Sequence, residues 1–285
     1  MLYMPGSNAR ALEKGRALAA DALILDLEDA VAPDAKETAR RQIAEALAEG
    51  GYGRREILVR VNGLDSAWGR DDIAAISTSR ADGILLPKVE NGAMVGDAEA
   101  LMDATGAPAD MAVWCMIETP LGVLHAEEIA ASSPRLGGFV MGTSDLAKDL
   151  HCLHVPGRLP FVTSLSLCIL AARAHGLAIL DGVHLDLADD AGFAASCRQG
   201  LEFGFDGKTL IHPRTIGTAN EVFAPSPDEV AWSEKIIAAH EEAAERGQGV
   251  VVVDGKLVEN LHVENARRIV GLAAMIAELA EGAAE

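Results

Sequence analysis

Apolar runs of strand length alternate along the chain with stretches of helical periodicity. The first run is Leu2-Tyr3-Met4, closed by Pro5-Gly6, after which Ser7 or Asn8 can cap a helix through Arg10, Leu12, Lys14 and Leu18. The second strand lies within residues 21–30 and ends in Asp26, Glu28 and Asp29; Pro33 and Asp34 then open a helix rich in Ala, Arg and Glu. The third strand is Glu56 to Asn62, with a helix from about Ala67. The fourth is Ala81 to Val89, with a helix through Glu99 and Met102. Runs at residues 111–120 and 138–145 give the fifth and sixth. A loop carrying His151, His154, Pro156 and Pro160 leads into a helix through Leu167 and Ala172. Leu177 to Val183 is the seventh strand, Asp189 to Leu201 a helix, and Phe205 to His212 the eighth strand, stopped by Pro213. Eight strand-then-helix units predict an α/β fold, a (β/α)₈ TIM barrel over residues 1–224.

The Pro225-Ser226-Pro227 break predicts a boundary. Beyond it come a helix from about Asp228 to Arg246, a strand Val250 to Val253 with an Asp254-Gly255 turn, and a last helix from about Val263. A tail over residues 225–285 is too small to fold alone and too long for a linker, so it is expected to pack on the barrel or on a neighbouring subunit.

The fifth and sixth strands stop abruptly at carboxylates, Glu118 before Thr119-Pro120 and Asp145 after Gly142-Thr143-Ser144. A strand buried on both faces needs no acid at its end, whereas a barrel builds its active site there. A single acid in that place can merely cap the next helix. Two suit a hard divalent cation with oxygen ligands and retained waters, Mg²⁺ above all and Mn²⁺ as the alternative. Other unusual polar residues fall at the same strand ends: Glu28, Asp29, Arg60, Asn62, Lys88, Glu90 and Asp181. Arg60 sits between Val59 and Val61 inside a strand, where an inward guanidinium is suited to a bidentate grip on a substrate carboxylate. His151 and His154 read as surface loop residues and His212 as structural.

Composition narrows the partners. Against 24 Lys and Arg stand 43 Asp and Glu, a net charge of −19, which repels nucleic-acid phosphates and anionic membranes. An anionic ligand therefore needs a local basic island. The four cysteines (115, 152, 168, 197) show no paired spacing and read as free thiols of a reducing compartment. No signal peptide or long apolar span is visible, so a cytoplasmic protein is expected. There is no GxSxG elbow, HExxH, zinc-type Cys spacing or GxGxxG.

Eight short runs appear in order: Pro5-Gly6-Ser7-Asn8, residues 24–31, Val59-Arg60-Val61-Asn62, residues 86–90, residues 116–120, residues 142–146, Asp181-Gly182-Val183 and residues 205–213. Together they resemble the citrate lyase beta-subunit-like family, in the branch that holds malyl-CoA lyases and malyl-CoA thioesterases. The resemblance implies a homotrimeric or hexameric (β/α)₈ enzyme using Mg²⁺ on short acyl-CoA thioesters that carry a hydroxyl and a carboxylate. It places Glu118 and Asp145 on the metal, Glu28 and Asp29 on metal-bound waters, and Arg60 on the keto or hydroxy acid. Arg10 and Lys14 fall on positions that contact CoA phosphates, which would supply the basic island.

One segment departs from the pattern. The lyases carry their base as an Asp in a C-terminal motif that reaches a neighbour's barrel. Here residues 255–261 put Glu259 at that place and Leu261 where a Pro is expected, with Asp254 and Glu264 as neighbouring alternatives. Glu is one methylene longer, and a displacement of about 1 Å can cost on the order of 10²-fold in a positioned step. The expectation is a C–C lyase that cleaves a malyl-CoA-like substrate to acetyl-CoA or propionyl-CoA plus a keto acid such as glyoxylate. A (3S)-malyl-CoA thioesterase is the alternative that Glu259 favours, and a citrate lyase beta subunit working on an acyl-carrier protein is a third.

Overall fold

The computed structural model describes residues 1–245, 247 and 250–282. Eight strands follow one another around a single parallel sheet: β1 Leu2–Pro5, β2 Ala22–Asp26, β3 Glu56–Arg60, β4 Gly83–Leu86, β5 Ala112–Ile117, β6 Leu136–Met141, β7 Ala178–Asp181 and β8 Gly207–Lys208. The sheet closes on itself. Leu2 bridges Leu210 in parallel, with Tyr3 N donating to Leu210 O and Leu210 N to Met1 O, both at 2.9 Å. This is the TIM-barrel architecture that the count of units predicts.

Strand periodicity explains the interior. Side chains two residues apart share a face, and Ile24, Leu58, Leu85, Trp114, Met116, Val140 and Leu180 meet in one buried cluster inside the barrel. One step further along the same strands, the inward positions are Asp26, Arg60 and Glu118. The same alternation that packs the core therefore delivers charged groups to its carboxyl end.

Some element boundaries differ from expectation. The first helix is Ala9–Gly15 and stops short of Leu18, whose carbonyl accepts Arg55 Nε and Nη2 at 2.9 and 2.6 Å. Its Asn8 cap forms as expected, accepting from Ala11 N. The eighth strand is shorter than residues 205–212, because Thr209 bonds through N and Oγ1 to the Asp181 carbonyl and His212 Nδ1 caps Arg214 N. A further helix, Ile216–Phe223, follows it. Cys115, Cys168 and Cys197 are buried and Cys152 is half-buried, all as free thiols.

The chain divides into two compact units, Met1–Asn220 and Glu221–Glu285. In the second, helices Pro227–Glu245 and Asn260–Gly282 accompany a hairpin of β9 Val251–Val253 and β10 Lys256–Val258. Its turn is Asp254-Gly255, both at positive φ (49° and 77°), which suits a two-residue hairpin loop. Ile236, Val253, Val258, Val263 and Ala266 form its core. Val252 and Leu257, paired across the hairpin, are 64% and 57% exposed. The last helix starts at Asn260, three residues before expectation. Arg246, the expected end of the preceding helix, lies outside the described residues.

Asp181 holds the β7–β8 side of the barrel together. Fully buried, it accepts from Arg158 Nη1 at 2.6 and 2.8 Å, from Lys208 Nζ at 2.8 Å and from Gly182 N at 2.8 Å. Removing one partner of a buried ion cluster strands the others without compensation. D181A is therefore expected to destabilise the barrel by about 3–5 kcal/mol in urea denaturation. A loss below about 1 kcal/mol would mean that the cluster is solvated.

Candidate active site

A fork-to-fork ion pair is buried in the barrel mouth. Arg60, the last residue of β3, donates from Nε and Nη2 to the two oxygens of Asp26, the last residue of β2, at 2.7 and 2.6 Å. The two residues are register partners on adjacent strands, so the geometry follows from the sheet. Asp26 is 1% exposed and Arg60 6%. Burial alone would lower the Arg60 pKa, but the hydrogen bond and charge of Asp26 raise it. Asp26 also accepts from the backbone N–H groups of Glu28 and Ala30, which shapes the loop after β2. The fork of Arg60 thus grips Asp26, which leaves Nη1 outside the pair. That nitrogen lies 2.8 Å from Glu28 Oε2 and 3.4 Å from Asp29 Oδ2.

Glu28 and Glu118 are joined through Lys88. Lys88 Nζ sits 2.6 Å from Glu28 Oε1 and 3.9 Å from Glu118 Oε1, and Lys88 N donates to Glu118 Oε1 at 2.9 Å. To aim both groups, Lys88 takes a left-handed backbone (φ 50°), a conformation that costs a non-glycine residue on the order of 1 kcal/mol. Burial would lower the Lys88 pKa, but the hydrogen bond to Glu28 and the charge of Glu118 raise it. Glu118 is 1% exposed. Burial pushes its carboxyl up to about 8; Lys88 opposes the shift, while Glu28 and Asp145 add to it. Burial likewise raises Glu28, partly offset by Arg60 and Lys88. Lys36 buttresses the loop, donating to the Leu27 and Glu28 carbonyls and to Asn62 Oδ1 at 2.7–2.8 Å.

Asp145 opens the helix Thr143–Leu150, where the positive end of the helix favours its charge. No side chain caps this helix at Gly142. Gly142 is glycine for a steric reason: a Cβ there would collide with Glu118 Cβ and Oε2. A cavity of about 350 Å³ opens over these groups, lined by the charged Asp26, Asp29, Arg60, Glu118 and Asp145 and by the apolar Met141, Val183, Leu185 and Ile211.

The donor set fits a hard divalent ion. Glu118 and Asp145 present carboxylate oxygens to one cavity, and Gly142 leaves room beside Glu118. Among the described residues no three His, Cys, Asp or Glu side chains are grouped to hold a metal by themselves. An ion here would be completed by water and ligand oxygens, the habit of Mg²⁺ rather than of a caged metal.

Other residues singled out in the sequence lie elsewhere. Arg10 and Lys14 are exposed one turn apart on the first helix, without a partner among the described residues, and do not line the cavity. Glu259 belongs to the second unit, exposed at the start of its last helix; its N–H donates to His262 Nδ1. The alternative Asp254 is paired with Lys235 at 2.5 Å. His154 packs on Phe161, and the Glu90 carbonyl faces His125 Nδ1 at 2.8 Å. Two residues to which the sequence pattern gives no role stand in the site: Asp26 and Tyr3. Asp26 had a signal, an acid in register with Arg60. Tyr3 had none. Among the described residues no helix is long and apolar enough to cross a membrane.

Comparison with known proteins shows the family. Residues 1–213 match the family described as HpcH/HpaI aldolase/citrate lyase. A (3S)-malyl-CoA thioesterase of Cereibacter sphaeroides strain ATCC 17025 is 54% identical over 277 residues, 97% of this chain and 95% of the relative. An L-malyl-CoA/beta-methylmalyl-CoA lyase of the same species, strain ATCC 17029, is 38% identical over 299 residues, 96% of this chain and 94% of the relative. Among solved structures, the protein CitE of Mycobacterium tuberculosis, in complex with magnesium, acetoacetate and coenzyme A, superposes with a TM-score of 0.78. That structure is 28% identical and covers 96% of this chain and 97% of its own.

A raised carboxyl pKa disfavours the folded state once the group must ionise. Metal-free protein should therefore lose stability as pH rises from the ordinary carboxyl range through about 8, the window set by Glu118. Adding Mg²⁺ should offset that loss, most at the high-pH end. E118Q should flatten the metal-free profile and abolish the Mg²⁺ effect in thermal melts. A pH profile unchanged by E118Q would show that another group sets it.

Proposed function

Because the chain belongs to the HpcH/HpaI aldolase/citrate lyase family, we propose that its barrel mouth binds a short β-hydroxyacyl-CoA and hydrolyses it, as a (3S)-malyl-CoA thioesterase. The observation that carries this reading is the 54% identity to such a thioesterase along nearly all of both chains, against 38% to the malyl-CoA lyase. It turns the balance away from the C–C cleavage that the site pattern by itself suggests. Glu259 supports the same direction, since it stands where the lyases place an Asp.

In this reading Glu118 and Asp145 would hold Mg²⁺, and Glu28 and Asp29 would accept hydrogen bonds from its waters. When bound, the ion acts as a Lewis acid toward the hydroxyl and carboxylate of the acyl group. Arg60 Nη1 offsets the carboxylate's charge, while Asp26 keeps the guanidinium from rotating. The helix that starts at Thr143 has no side-chain cap, and its first residues line the same cavity, a natural seat for a ligand anion. Arg10 and Lys14 take the CoA phosphates at the rim. Glu259 activates the water that attacks the thioester carbon. Water adds to the carbonyl, the C–S bond breaks, CoA leaves as the thiol, and malate remains.

Glu259 acts on the barrel of a neighbouring copy in this proposal, so that residues 225–285 serve an adjacent subunit of a homo-oligomer. The exposed apolar pair Val252 and Leu257 beside it suits such a contact. C–C cleavage is the second reading, favoured by the arrangement of Arg60 with Glu118 and Asp145 around one cavity.

Purified protein given (3S)-malyl-CoA and Mg²⁺ is expected to release free thiol and malate; glyoxylate without thiol would establish the lyase instead. R60K should lower turnover by about 10²-fold or more, because lysine cannot reproduce the fork on Asp26. E118A and E259A should each be inactive alone and regain activity when their chains are mixed and reassembled. Failure of mixing to restore activity would place Glu259 outside a shared site.

A further inference from the structure

Tyr3 sits in the floor of the cavity with a hydroxyl that the protein barely uses. Its ring is clamped: Arg60 Cζ lies 5.0 Å from the ring centroid, and Tyr3 N is tied to Leu210 O at the barrel seam. The hydroxyl points across the barrel to β5, where its partner among the described residues is the thioether of Met116 at 3.9 Å. A thioether is a weak acceptor, and a buried hydroxyl ordinarily finds a better one. The surrounding interior is Ile24, Leu58, Met116 and Val140, whose side chains offer no oxygen. The cavity does, when filled: Tyr3, Arg60, Met116 and Glu118 line it together.

Depth indicates which oxygen. Tyr3 pairs in register with Ile24, two residues below the Asp26 level, so its hydroxyl meets whatever reaches furthest into the barrel. For a ligand whose CoA stays outside, that is the end of the acyl chain remote from the thioester. We propose that the Tyr3 hydroxyl donates a hydrogen bond to an oxygen at this inner end of the acyl group and so selects acyl chains that carry an oxygen there. The inference rests on the cavity taking an acyl-CoA. It is the same whether the bound thioester is hydrolysed or cleaved.

A hydrogen bond to a charged acceptor is worth roughly 10- to 100-fold in binding, and a site built around one rejects analogues that lack it. The test is calorimetric binding of succinyl-CoA, which has an inner carboxylate, and butyryl-CoA, which has the same chain length and no inner oxygen, both with Mg²⁺. Y3F keeps the ring and the cation–π contact. It should weaken succinyl-CoA roughly 10-fold or more and leave butyryl-CoA within about twofold. Equal weakening of both would mark Tyr3 as structural, and no change in either would mark the hydroxyl as idle; each overturns the proposal. Binding of neither thioester by the unsubstituted protein would overturn the acyl-CoA reading itself. A second measurement needs no variant. The chain has two tyrosines, Tyr3 and Tyr52, and a ¹³Cζ-tyrosine spectrum should shift at one of them with succinyl-CoA but not with butyryl-CoA. Identical spectra with the two would count against the hydrogen bond.

Discussion

The bidentate pair of Arg60 with Asp26 is the interaction on which the site depends. It stands at the level where the barrel interior changes from apolar to charged. Below it lies the cluster of Ile24, Leu58, Met116 and Val140; above it open the cavity and its acids. Two charges this deep are costly unless geometry and hydrogen bonding satisfy them. Both Asp26 oxygens meet the guanidinium, and each also takes a backbone N–H from the loop after β2. One side chain therefore fixes the arginine and folds the loop that carries Glu28 and Asp29.

Around that pair the mouth is over-supplied with negative charge. Asp26, Glu28, Asp29 and Glu118 face Arg60 and Lys88, and Asp145, paired with Lys148 at 3.5 Å, lines the same cavity. Lys88 accepts a strained backbone to hold Glu28 and Glu118 at once, and Glu118 still stays protonated well above the ordinary carboxyl range. Such an imbalance is stable only locally, within a rigid frame, and it is the electrostatic setting in which a divalent cation is worth most. The acidic surface of the chain extends the same bias outward. Arg10 and Lys14, on the helix after β1, are exposed and without a partner among the described residues.

The opposite flank shows the contrast between a charge cluster that is structure and one that is site. Asp181 at the end of β7 occupies the same kind of position as Glu118 at the end of β5. Yet its carboxylate is saturated by Arg158, Lys208 and Gly182, and it does not line the cavity. Glu118 has one backbone donor and a distant ammonium, and space beside it kept open by Gly142. A carboxylate that its surroundings leave unsatisfied is available for chemistry; a satisfied one is a rivet.

Much of this was written in the linear chain. Apolar runs with acids at their ends determined a parallel barrel with chemistry at one rim, since strand period and burial act within a few residues. The Asp254-Gly255 turn and the Asn8 cap were legible for the same local reason. Arg60, Glu118 and Asp145 could be singled out because a charge inside a strand, or at the end of a buried one, is too costly to keep without a partner or a ligand. Which of these groups touch was not legible, because it depends on register between strands some thirty residues apart. Only the closed sheet brought Arg60 onto Asp26 rather than leaving its fork free, gave Lys88 its left-handed turn between two acids, and sealed Asp181 into an ion cluster. Tyr3 is the clearest case. In the sequence it is one aromatic in a short apolar strand, and it becomes a weakly satisfied donor in the cavity floor because closure of the barrel sets its ring beneath Arg60 and its hydroxyl against sulfur instead of oxygen.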